Sequence, residues 1–253
     1  MGAFSSKRVG ICPVKLLQGD CLDLMKEIPD KSIDLILCDL PYGTTDCKWD
    51  TIIPFADLWA QYSRVAKTNA AVVLFAAQPF TTKLIDSNFK EYRYNWYWKK
   101  NNVTGGIFCK VQPMRCIEDI CVFYKKMPTY NPQGIRKLKE IKINEPINKN
   151  VYTGKKNPSI QTHTGYPKHI LEFKNEALFG ERYHPTQKPV ALLEYLVKTY
   201  TNEGDTVLDN CMGSGSTGVA CVNTGRHFIG MEIENKYYEI AKMRINNNVS
   251  SLH

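Results

Sequence analysis

The amino-acid sequence predicts an α/β fold, in which a parallel sheet has helices on both faces and an irregular insertion interrupts the α/β pattern. Residues 14–124 alternate short apolar runs with amphipathic stretches. Residues 125–183 lose this alternation, and residues 189–245 return to it. A strand, a helix and a second strand in succession are typical of βαβ units, whose strands lie parallel in one sheet.

The first α/β segment predicts two buried strands separated by a helix. Residues 33–38 form an apolar run that ends at an aspartate, which indicates a buried strand. Residues 53–66 carry apolar side chains at helical spacing. Residues 70–77 form a second short apolar run bounded by an asparagine and a proline, and we expect another buried strand there.

The last segment predicts three helices and two strands. We expect the first helix to begin at Pro189, because proline lacks an N–H and suits the first helical position. Apolar residues at helical spacing follow it, up to Val197. The remaining elements are a strand at 206–208, a helix from 217–222, a strand at 227–231 and a helix at about 237–245.

The middle region, residues 125–183, differs from both. It is rich in Lys, Asn, Pro, Thr and Gly, and its five prolines exclude a long helix. A disordered linker is one interpretation. The region nevertheless keeps aromatic side chains at Tyr130, Tyr152, Tyr166 and Phe173. We therefore expect an irregular insertion that becomes ordered on a partner.

Composition excludes several classes of protein. Apolar residues make up 43% and charged residues 23% of the 253, which indicates a globular chain. Nine scattered cysteines contain no CxxC pair, so we expect neither a metal site nor a disulfide framework, and reduced thiols suggest a cytoplasmic protein. The sequence has no run of 18 apolar residues and no apolar signal-peptide core, so no membrane association is expected.

The positive charge is concentrated in the middle region. The chain has a net charge of +8, and residues 125–180 hold eleven Lys or Arg against four Glu. Such a region is either a solvated surface or a patch that faces phosphates, since basic side chains that displace counterions supply most sequence-independent affinity for DNA. Charge alone leaves both interpretations open.

A glycine loop follows the strand at 206–208. Gly213, Gly215 and Gly218 have the GxGxxG spacing, and Glu232 follows Asp209 by 23 residues, at the end of the next strand. Glycines let a backbone approach a ligand closely, a helix N-terminus offers free N–H groups, and an acid accepts hydrogen bonds from a ribose diol. The combination indicates a nucleoside cofactor, although a tight strand–helix turn would need similar glycines.

Two features favour S-adenosylmethionine over a nicotinamide cofactor in this loop. Asp209 opens the loop, which suits a ligand with an ammonium and a sulfonium better than one with a pyrophosphate. The loop also lies near the C-terminus, far from the first βα unit in which dinucleotide enzymes usually carry it. A nicotinamide-dependent oxidoreductase would explain the loop and Glu232 but would leave the rest of the pattern without a role.

The tetrapeptide Asp39-Leu40-Pro41-Tyr42 fits the methylation of an exocyclic base amine. Such an amine is a poor nucleophile, and a site that methylates it must accept hydrogen bonds from its N–H groups. A carboxylate and a main-chain carbonyl can do so, a proline stiffens the carbonyl, and Tyr42 offers a flat face to a base taken out of the duplex. A simple strand-ending turn would use similar residues.

Together these motifs resemble the β-class of DNA amino-methyltransferases. In that class the catalytic tetrapeptide precedes the cofactor loop, and the target-recognition region lies between them. The segment His184-Pro185-Thr186-Gln187-Lys188-Pro189 is similar to a third landmark of the class, which borders the cofactor pocket. The resemblance covers nearly the whole chain and depends on three motifs in the right order.

The resemblance implies a Rossmann-like sheet with one antiparallel edge strand, formed by a reversed hairpin. It implies a methyltransferase domain made of residues 1–124 and 184–253, with 125–183 as the target-recognition insertion. It implies double-stranded DNA as partner and catalysis by Asp39, the Leu40 carbonyl, Pro41 and Tyr42 on a flipped base. It also implies S-adenosylmethionine contacts at Asp20, Cys21, Asp39, Lys188, Asp209, Asn210, Met212, Gly213, Ser214, Gly215, Ser216, Thr217 and Glu232.

The sequence departs from the family pattern at two places. Leu40 stands where proline is commonest, which changes the rigidity of the turn, and the loop reads Asp-Asn-Cys-Met where Asp-Pro-Phe is usual. An initial Asp favours adenine N6, whereas cytosine-N4 enzymes more often begin with Ser. The chain has no Pro-Cys dipeptide, which excludes the C5-cytosine class.

Other functions and assemblies stay open at this point. A protein-glutamine methyltransferase usually starts the tetrapeptide with Asn and needs no basic insertion. A DNA-binding protein without activity would explain the charge but not the cofactor loop. The class often dimerises, so a homodimer is admitted, and the pattern is shared by enzymes of restriction-modification systems, by solitary enzymes and by phage enzymes.

Overall fold

The computed structural model describes residues 13–43, 50–144, 158–174 and 187–251. Two compact units can be distinguished, one made of Met1–Asn131 with His169–His253, the other of Pro132–Lys168. The first unit contains a sheet of eight strands and six helices among the described residues, and the second contains a two-stranded ribbon.

The first unit begins with four strands and three helices. These are β1 (Val14–Gln18), α1 (Cys21–Met25), β2 (Ile33–Asp39), α2 (Phe55–Val65), β3 (Ala66–Ala76), α3 (Phe80–Ser87) and β4 (Tyr92–Thr104). The strand β5 (Arg115–Phe123) follows β4 after a short 3-10 turn. The two predicted strands and the helix between them are confirmed as β2, α2 and β3.

The second unit consists of β6 (Arg136–Asn144) and β7 (Ser159–Thr164), which pair antiparallel. The sequence predicts an irregular insertion here, and the two strands, with β8 (Ile170–Glu172) after them, correct that prediction. The apolar side chains of the ribbon, including Ile141 and Ile160, are exposed. Residues 140–144 of β6 do alternate polar and apolar side chains, which is a strand signal that the prediction of an irregular insertion left out.

The chain then returns to the sheet with α4 (Val190–Tyr200), β9 (Thr206–Asp209), α5 (Ser216–Asn223), β10 (His227–Glu232) and α6 (Asn235–Ser251). All five predicted elements are present. Pro189 is the residue before α4 and not its first residue, because its backbone is extended (ψ 131°) while its carbonyl accepts the first helical hydrogen bond from the Leu193 N–H.

The strand order of the sheet is β1-β10-β9-β2-β3-β5-β4-β8. Among these strands only β5 is antiparallel to its neighbours, and it forms a reversed hairpin with β4 towards one end of the sheet, where β8 pairs parallel to β4. The predicted Rossmann-like fold with a reversed hairpin is therefore confirmed.

The core lies on both faces of the sheet. Alternate residues of β2 and β3 contribute to two separate apolar clusters, so Leu35 and Val73 lie in one and Ile36 and Val72 in the other. Helices α4, α5 and α6 cover the first cluster, and α1, α2 and α3 cover the second.

The topology places several loops at one edge of the sheet. The chain leaves β2 towards β3 on one side and leaves β9 towards β10 on the other, so the strand order reverses between β2 and β9. Ligands of open α/β sheets bind outside the carboxyl ends of the strands at such a point. Because β5 runs the opposite way, its amino end lies at this same edge, next to the end of β3.

Candidate active site

A cavity of about 660 Å³ opens at this edge of the sheet. Its volume is in the range of about 300–1,000 Å³ that is usual for small-molecule and cofactor sites. Among the residues that the structure describes, seven acidic and three basic side chains line its wall, and this part of the wall favours a cationic ligand over an anionic one. The charged residues are Asp20, Asp39, Asp50, Glu118, Asp209, Glu232 and Glu234, with Lys100, Arg115 and Lys188.

Four charged side chains form what we call the ionic cluster, made of Asp39, Lys100, Glu118 and Lys188. The Lys188 ammonium contacts Asp39 Oδ2 and lies 2.9 Å from Glu118 Oε1. The Lys100 ammonium lies 2.5 Å from Glu118 Oε2. Two carboxylates and two ammonium groups balance each other, which is how buried charges are tolerated in a fold.

The centre of the ionic cluster is buried. The side chains of Lys188 and Glu118 are only 8% and 6% exposed. Burial raises the pKa of a carboxyl, but at Glu118 the two lysines outweigh it and hold the pKa below its usual value. At Lys188 burial acts against the charged form, and the two carboxylates reverse this and raise its pKa. Both groups therefore stay charged at neutral pH.

Asp39 is the last residue of β2, and its side chain is more exposed than that of Glu118, at 23% against 6%. Burial raises its pKa, the Lys188 ammonium opposes this shift, and the negative Glu118 adds to it. Both carboxylate oxygens already have donors, since the Tyr42 hydroxyl donates to Oδ1 at 2.8 Å and Lys188 donates to Oδ2. A base amine that donates to Asp39 must share or replace one of these donors.

Tyr42 is held from two directions. Its ring stacks on Phe80, with centroids 4.9 Å apart and an interplanar angle of 26°. Its hydroxyl lies 2.8 Å from Asp39 and 3.3 Å from Glu118. Burial and these two carboxylates raise its pKa, so the hydroxyl remains a donor. The tetrapeptide thus presents a fixed aromatic ring and a carboxylate to the cavity.

The glycine loop, residues 209–217, forms the other end of the cavity. Asp209 ends β9, its side chain is buried, and its hydrogen-bond donors are the neutral groups of Cys211, Thr217 and Cys38. Burial raises the pKa of Asp209 to about 6. A buried carboxylate with neutral partners would gain most from a cationic ligand, which is the chemistry that an ammonium group offers.

Asn210 connects the glycine loop to the core. Its side-chain carbonyl accepts a hydrogen bond from the Tyr62 hydroxyl at 2.6 Å, and its amide lies 3.5 Å from the Cys21 and Cys211 sulfurs. Tyr62 belongs to α2 and is fully buried. The loop is therefore fixed to a helix that lies 148 residues away in the sequence, and no local motif indicates this contact.

The glycines of the loop serve different purposes. Gly213 (φ +52°) and Gly215 (φ +80°) adopt left-handed backbone conformations that favour glycine. The Gly213 N–H donates to Glu232 Oε2 at 2.9 Å. A Cβ on Gly215 would lie 2.8 Å from the Cβ of Ala241, so this glycine allows α5 and α6 to approach each other closely.

Glu232, at the end of β10, keeps capacity for a ligand. Glu232 Oε2 accepts the hydrogen bond from Gly213, and Oε1 accepts one from the Glu234 N–H at 2.8 Å. Burial raises the pKa of this carboxyl. Each carboxylate oxygen has a further lone pair, so the side chain can still accept hydrogen bonds from a diol. Asp20 lies after β1 at the same edge, where its carboxylate caps α1 through the Leu22 N–H at 2.8 Å.

The structure brings nearly all residues of the sequence hypothesis together around one cavity. Gly215 is the exception, because it supports the helix packing behind the wall. Residues 184–186 of the predicted landmark lie outside the described residues, whereas Gln187 and Lys188 line the cavity. The predicted residues on its wall are Asp20, Cys21, Asp39, Leu40, Pro41, Tyr42, Lys188, Asp209, Asn210, Met212, Gly213, Ser214, Ser216, Thr217 and Glu232.

Sequence analysis missed several residues of the site. Glu118 and Lys100 lie on β5 and β4, whose pairing no local motif signals, and Asn102 and Arg115 continue the same wall. The side-chain oxygen of Asn102 is buried and has no hydrogen-bond partner among the residues that the structure describes. The one available signal was a glutamate in the apolar context Ile-Glu-Asp-Ile-Cys-Val, since a buried acid needs a partner.

Within residues 13–43, 50–144, 158–174 and 187–251, no group of three His, Cys, Asp or Glu side chains has the geometry to hold a metal ion. In the same ranges no helix has the length and apolar character needed to cross a membrane.

Comparison with known proteins assigns the family. The sequence profile of the DNA methylase family matches residues 33–243. The chain is 29% identical over 246 residues to the DNA adenine methyltransferase YhdJ of Escherichia coli K12, covering 91% of this chain and 82% of that protein. It is 27% identical over 249 residues to the type II methyltransferase M.HpaI of Haemophilus parainfluenzae, covering 91% and 74%.

Solved structures share the fold. The crystal structure of the M1.HpyAVI–SAM complex has a TM-score of 0.65 and 25% identity, covering 92% of this chain and 99% of that one. The cytosine-N4-specific PvuII DNA methyltransferase has a TM-score of 0.66 at 15% identity, covering 99% and 96%, and this likeness concerns the fold alone. With its profile match over most of the sequence, the chain belongs to the DNA methylase family, the N6 and N4 methyltransferases.

Proposed function

We propose that this chain transfers the methyl group of S-adenosylmethionine to N6 of an adenine in double-stranded DNA, within a specific sequence. The observation that carries the proposal is the single cavity onto which both Asp39 and the glycine loop open. A donor bound along the loop and an amine bound at Asp39 would lie side by side, which is what direct transfer requires.

The residues of the cavity fit this cofactor. Asp209 is 3% exposed with neutral donors around it, so it suits the ammonium of the methionine part. Glu232 suits the ribose diol, and the glycine loop provides close backbone approach. The acidic wall would repel a pyrophosphate, which argues against a nicotinamide cofactor.

The catalytic step follows from the tetrapeptide. S-adenosylmethionine supplies a methyl group already activated by its sulfonium, so neither a metal nor a covalent enzyme intermediate is needed. The Asp39 carboxylate and the Leu40 carbonyl accept one hydrogen bond each from the two N–H groups of the target amine. The nitrogen lone pair is then left facing the methyl group. As the nitrogen gains positive charge, the Asp39 carboxylate stabilises it and is placed to receive the departing proton.

Adenine is the proposed base on two grounds. The tetrapeptide begins with Asp, and the relative YhdJ is named a DNA adenine methyltransferase. The fold does not discriminate, since a cytosine-N4-specific enzyme shares it.

The middle region supports the recognition of duplex DNA. Four of the nine residues of β6 are Lys or Arg, against one Glu, and the described basic side chains are exposed. A two-stranded ribbon is one of the elements that the major groove admits. We assign the recognition of the target sequence to residues 125–183. The homodimer and the cytoplasmic location stay predictions, and sedimentation of the purified protein checks the first.

The test is transfer of labelled methyl groups from S-adenosylmethionine to PCR-amplified, unmethylated genomic DNA. We expect incorporation, N6-methyladenine on nucleoside analysis, and one sequence context on modified-base sequencing. Asp39→Ala is the matched inactive control. Absence of incorporation on any DNA, or binding of NAD without binding of S-adenosylmethionine, would contradict the proposal.

A further inference from the structure

The connection between β4 and β5 has exposed apolar side chains. We call residues 105–114 the hairpin tip. Ile107 and Val111 are 88% and 83% exposed, and Phe108 and Met114 are a little under half exposed. Exposed apolar side chains this close together in a small area mark an interaction surface.

The hairpin tip has a defined shape. The N–H groups of Phe108 and Cys109 donate to the carbonyls of Gly105 and Gly106, and the Val111 N–H donates to the Phe108 carbonyl at 2.9 Å. These i→i−3 hydrogen bonds are of the 3-10 type, and they fix the backbone that carries the exposed side chains of Ile107 and Val111. The tip therefore resembles a preformed wedge.

The wedge continues directly from the wall of the active-site cavity. Thr104 and Arg115 are the last paired residues of the β4–β5 hairpin, and both line the cavity. Ile107 follows Thr104 by three residues, a distance of at most about 10 Å along the chain. A molecule whose base enters the cavity would therefore lie within reach of the tip.

The charge around the tip complements DNA. Residues 99–117 contain four Lys or Arg and no Asp or Glu. Lys99 and Lys100 pair with glutamates, whereas Lys110 and Arg115 take part in none of the ion pairs among the described residues. Two such tips facing each other in a symmetric dimer would repel, which argues against a second copy of the chain as the occupant.

We propose that the hairpin tip enters the DNA duplex beside the target base and fills the space that the flipped base leaves. This rests on the proposed function and extends it to the step before methylation. Ile107 and Val111 act as the apolar wedge, and Lys110 and Arg115 contact the flanking phosphates. Apolar wedges of this kind unstack base steps in other DNA-binding proteins.

The proposal makes a distinction between substrates. Removing a base from the stack costs a few kcal/mol, and least when the base is mismatched. The double variant Ile107→Ser, Val111→Ser should therefore lose about 10- to 100-fold in kcat/KM on a fully paired site. On the same duplex with a mismatch opposite the target base, it should stay within about threefold of the unmodified protein. Because both side chains are exposed, the fold should tolerate the change.

Base extrusion can be measured without methyl transfer. With 2-aminopurine at the target position, the unmodified protein should increase fluorescence on a paired duplex and the double variant should not. Phe89→Ser is the matched control, since Phe89 is 71% exposed and lies outside the cavity wall. Lys110→Gln should reduce the slope of log affinity against log salt by about 0.9.

Three outcomes would overturn the proposal. The first is that the double variant loses kcat/KM equally on paired and mismatched duplexes, and the second is that it loses kcat/KM on neither. The third is that the double variant keeps kcat/KM and loses only dimerisation or binding to phosphatidylserine vesicles. Failure of the proposed function looks different, since the unmodified protein would then methylate neither duplex.

Discussion

The two ends of the cavity are built on different principles. At the ionic cluster, four side chains from distant parts of the chain meet, and Asp39 and Lys188 are separated by 149 residues. At the glycine loop, consecutive residues between β9 and α5 supply the contacts. The backbone N–H of Cys211 donates to the Asp209 carboxylate, and that of Gly213 donates to the Glu232 carboxylate. The first end depends on packing of the whole sheet, and the second depends mainly on local backbone conformation.

Because of this difference, we expect single substitutions at the two ends of the cavity to have effects of different size. The ionic cluster positions charges for the chemical step, so one substitution should disturb several side chains together. The glycine loop distributes binding over many small contacts, so one side-chain substitution should change affinity by a smaller factor. Four substitutions test this comparison, from the largest expected effect to the smallest.

Asp39→Ala should lower kcat on the order of 10³-fold, because it removes the acceptor that orients the amine and stabilises its developing charge. DNA binding should stay within a few-fold. Single-turnover transfer of labelled methyl groups measures the loss in kcat, and fluorescence titration measures DNA affinity. Near-normal turnover would remove Asp39 from the mechanism.

Glu118→Gln should lower the free energy of unfolding by about 3–5 kcal/mol, because it leaves the buried Lys188 with one carboxylate and removes the ion pair of the partly buried Lys100. Urea unfolding measures the change. Glu172→Gln is the matched control, since Glu172 on β8 pairs at 3.0 Å with Lys99, the neighbour of Lys100 on β4, but is 70% exposed. We expect about 0–1 kcal/mol there. Equal costs for the two variants would show that burial of the cluster contributes nothing.

Asp209→Asn should act in opposite directions on stability and binding. In the folded chain the pKa of Asp209 is about 6, above its ordinary value of 3.8. The fold thus favours the protonated form of the Asp209 carboxyl. This carboxyl therefore contributes to the free energy of unfolding below pH 4, and the contribution is lost as the pH rises through 6. The variant has no carboxyl to titrate here, so its stability should fall less than that of the unmodified, cofactor-free protein as the pH rises from 4 to above 6.

The same substitution should weaken S-adenosylmethionine binding about 10- to 100-fold at pH 7.5, since it removes a charged hydrogen bond to an ammonium. In the unmodified protein the affinity should fall below pH 6, as Asp209 takes up a proton. Calorimetric titration from pH 5 to 8 measures both. Asp205→Asn, on the loop before β9, is the control. A pH-independent affinity would contradict the role of Asp209.

Glu232→Gln should have the smallest effect, roughly two- to tenfold in cofactor affinity, because the amide keeps one acceptor oxygen. The expected loss is in the binding constant and leaves kcat at saturating cofactor unchanged. A loss larger than that of Asp209→Asn would mean that the glycine loop depends on one dominant contact.

The local parts of the molecule could be predicted from the sequence. The strand, loop and helix around Asp209, the tetrapeptide at the end of β2 and the order of the motifs depend on residues close together in the chain. Apolar periodicity and glycine placement report such structure directly. The ribbon of β6 and β7 escaped prediction, because its alternation is confined to residues 140–144 and lies among prolines, glycines and charged residues that favour an irregular chain.

The sequence by itself therefore determined the family pattern, the cofactor loop and the acid that ends β2, since each is set by neighbouring residues. Only the tertiary structure decided that Glu118 lies between Lys100 and Lys188, and that the hairpin tip adjoins the cavity. The reason is the reversed direction of β5, which brings its amino end to the carboxyl edge of the parallel strands. Strand direction in a sheet is a long-range property, and no local spacing encodes it.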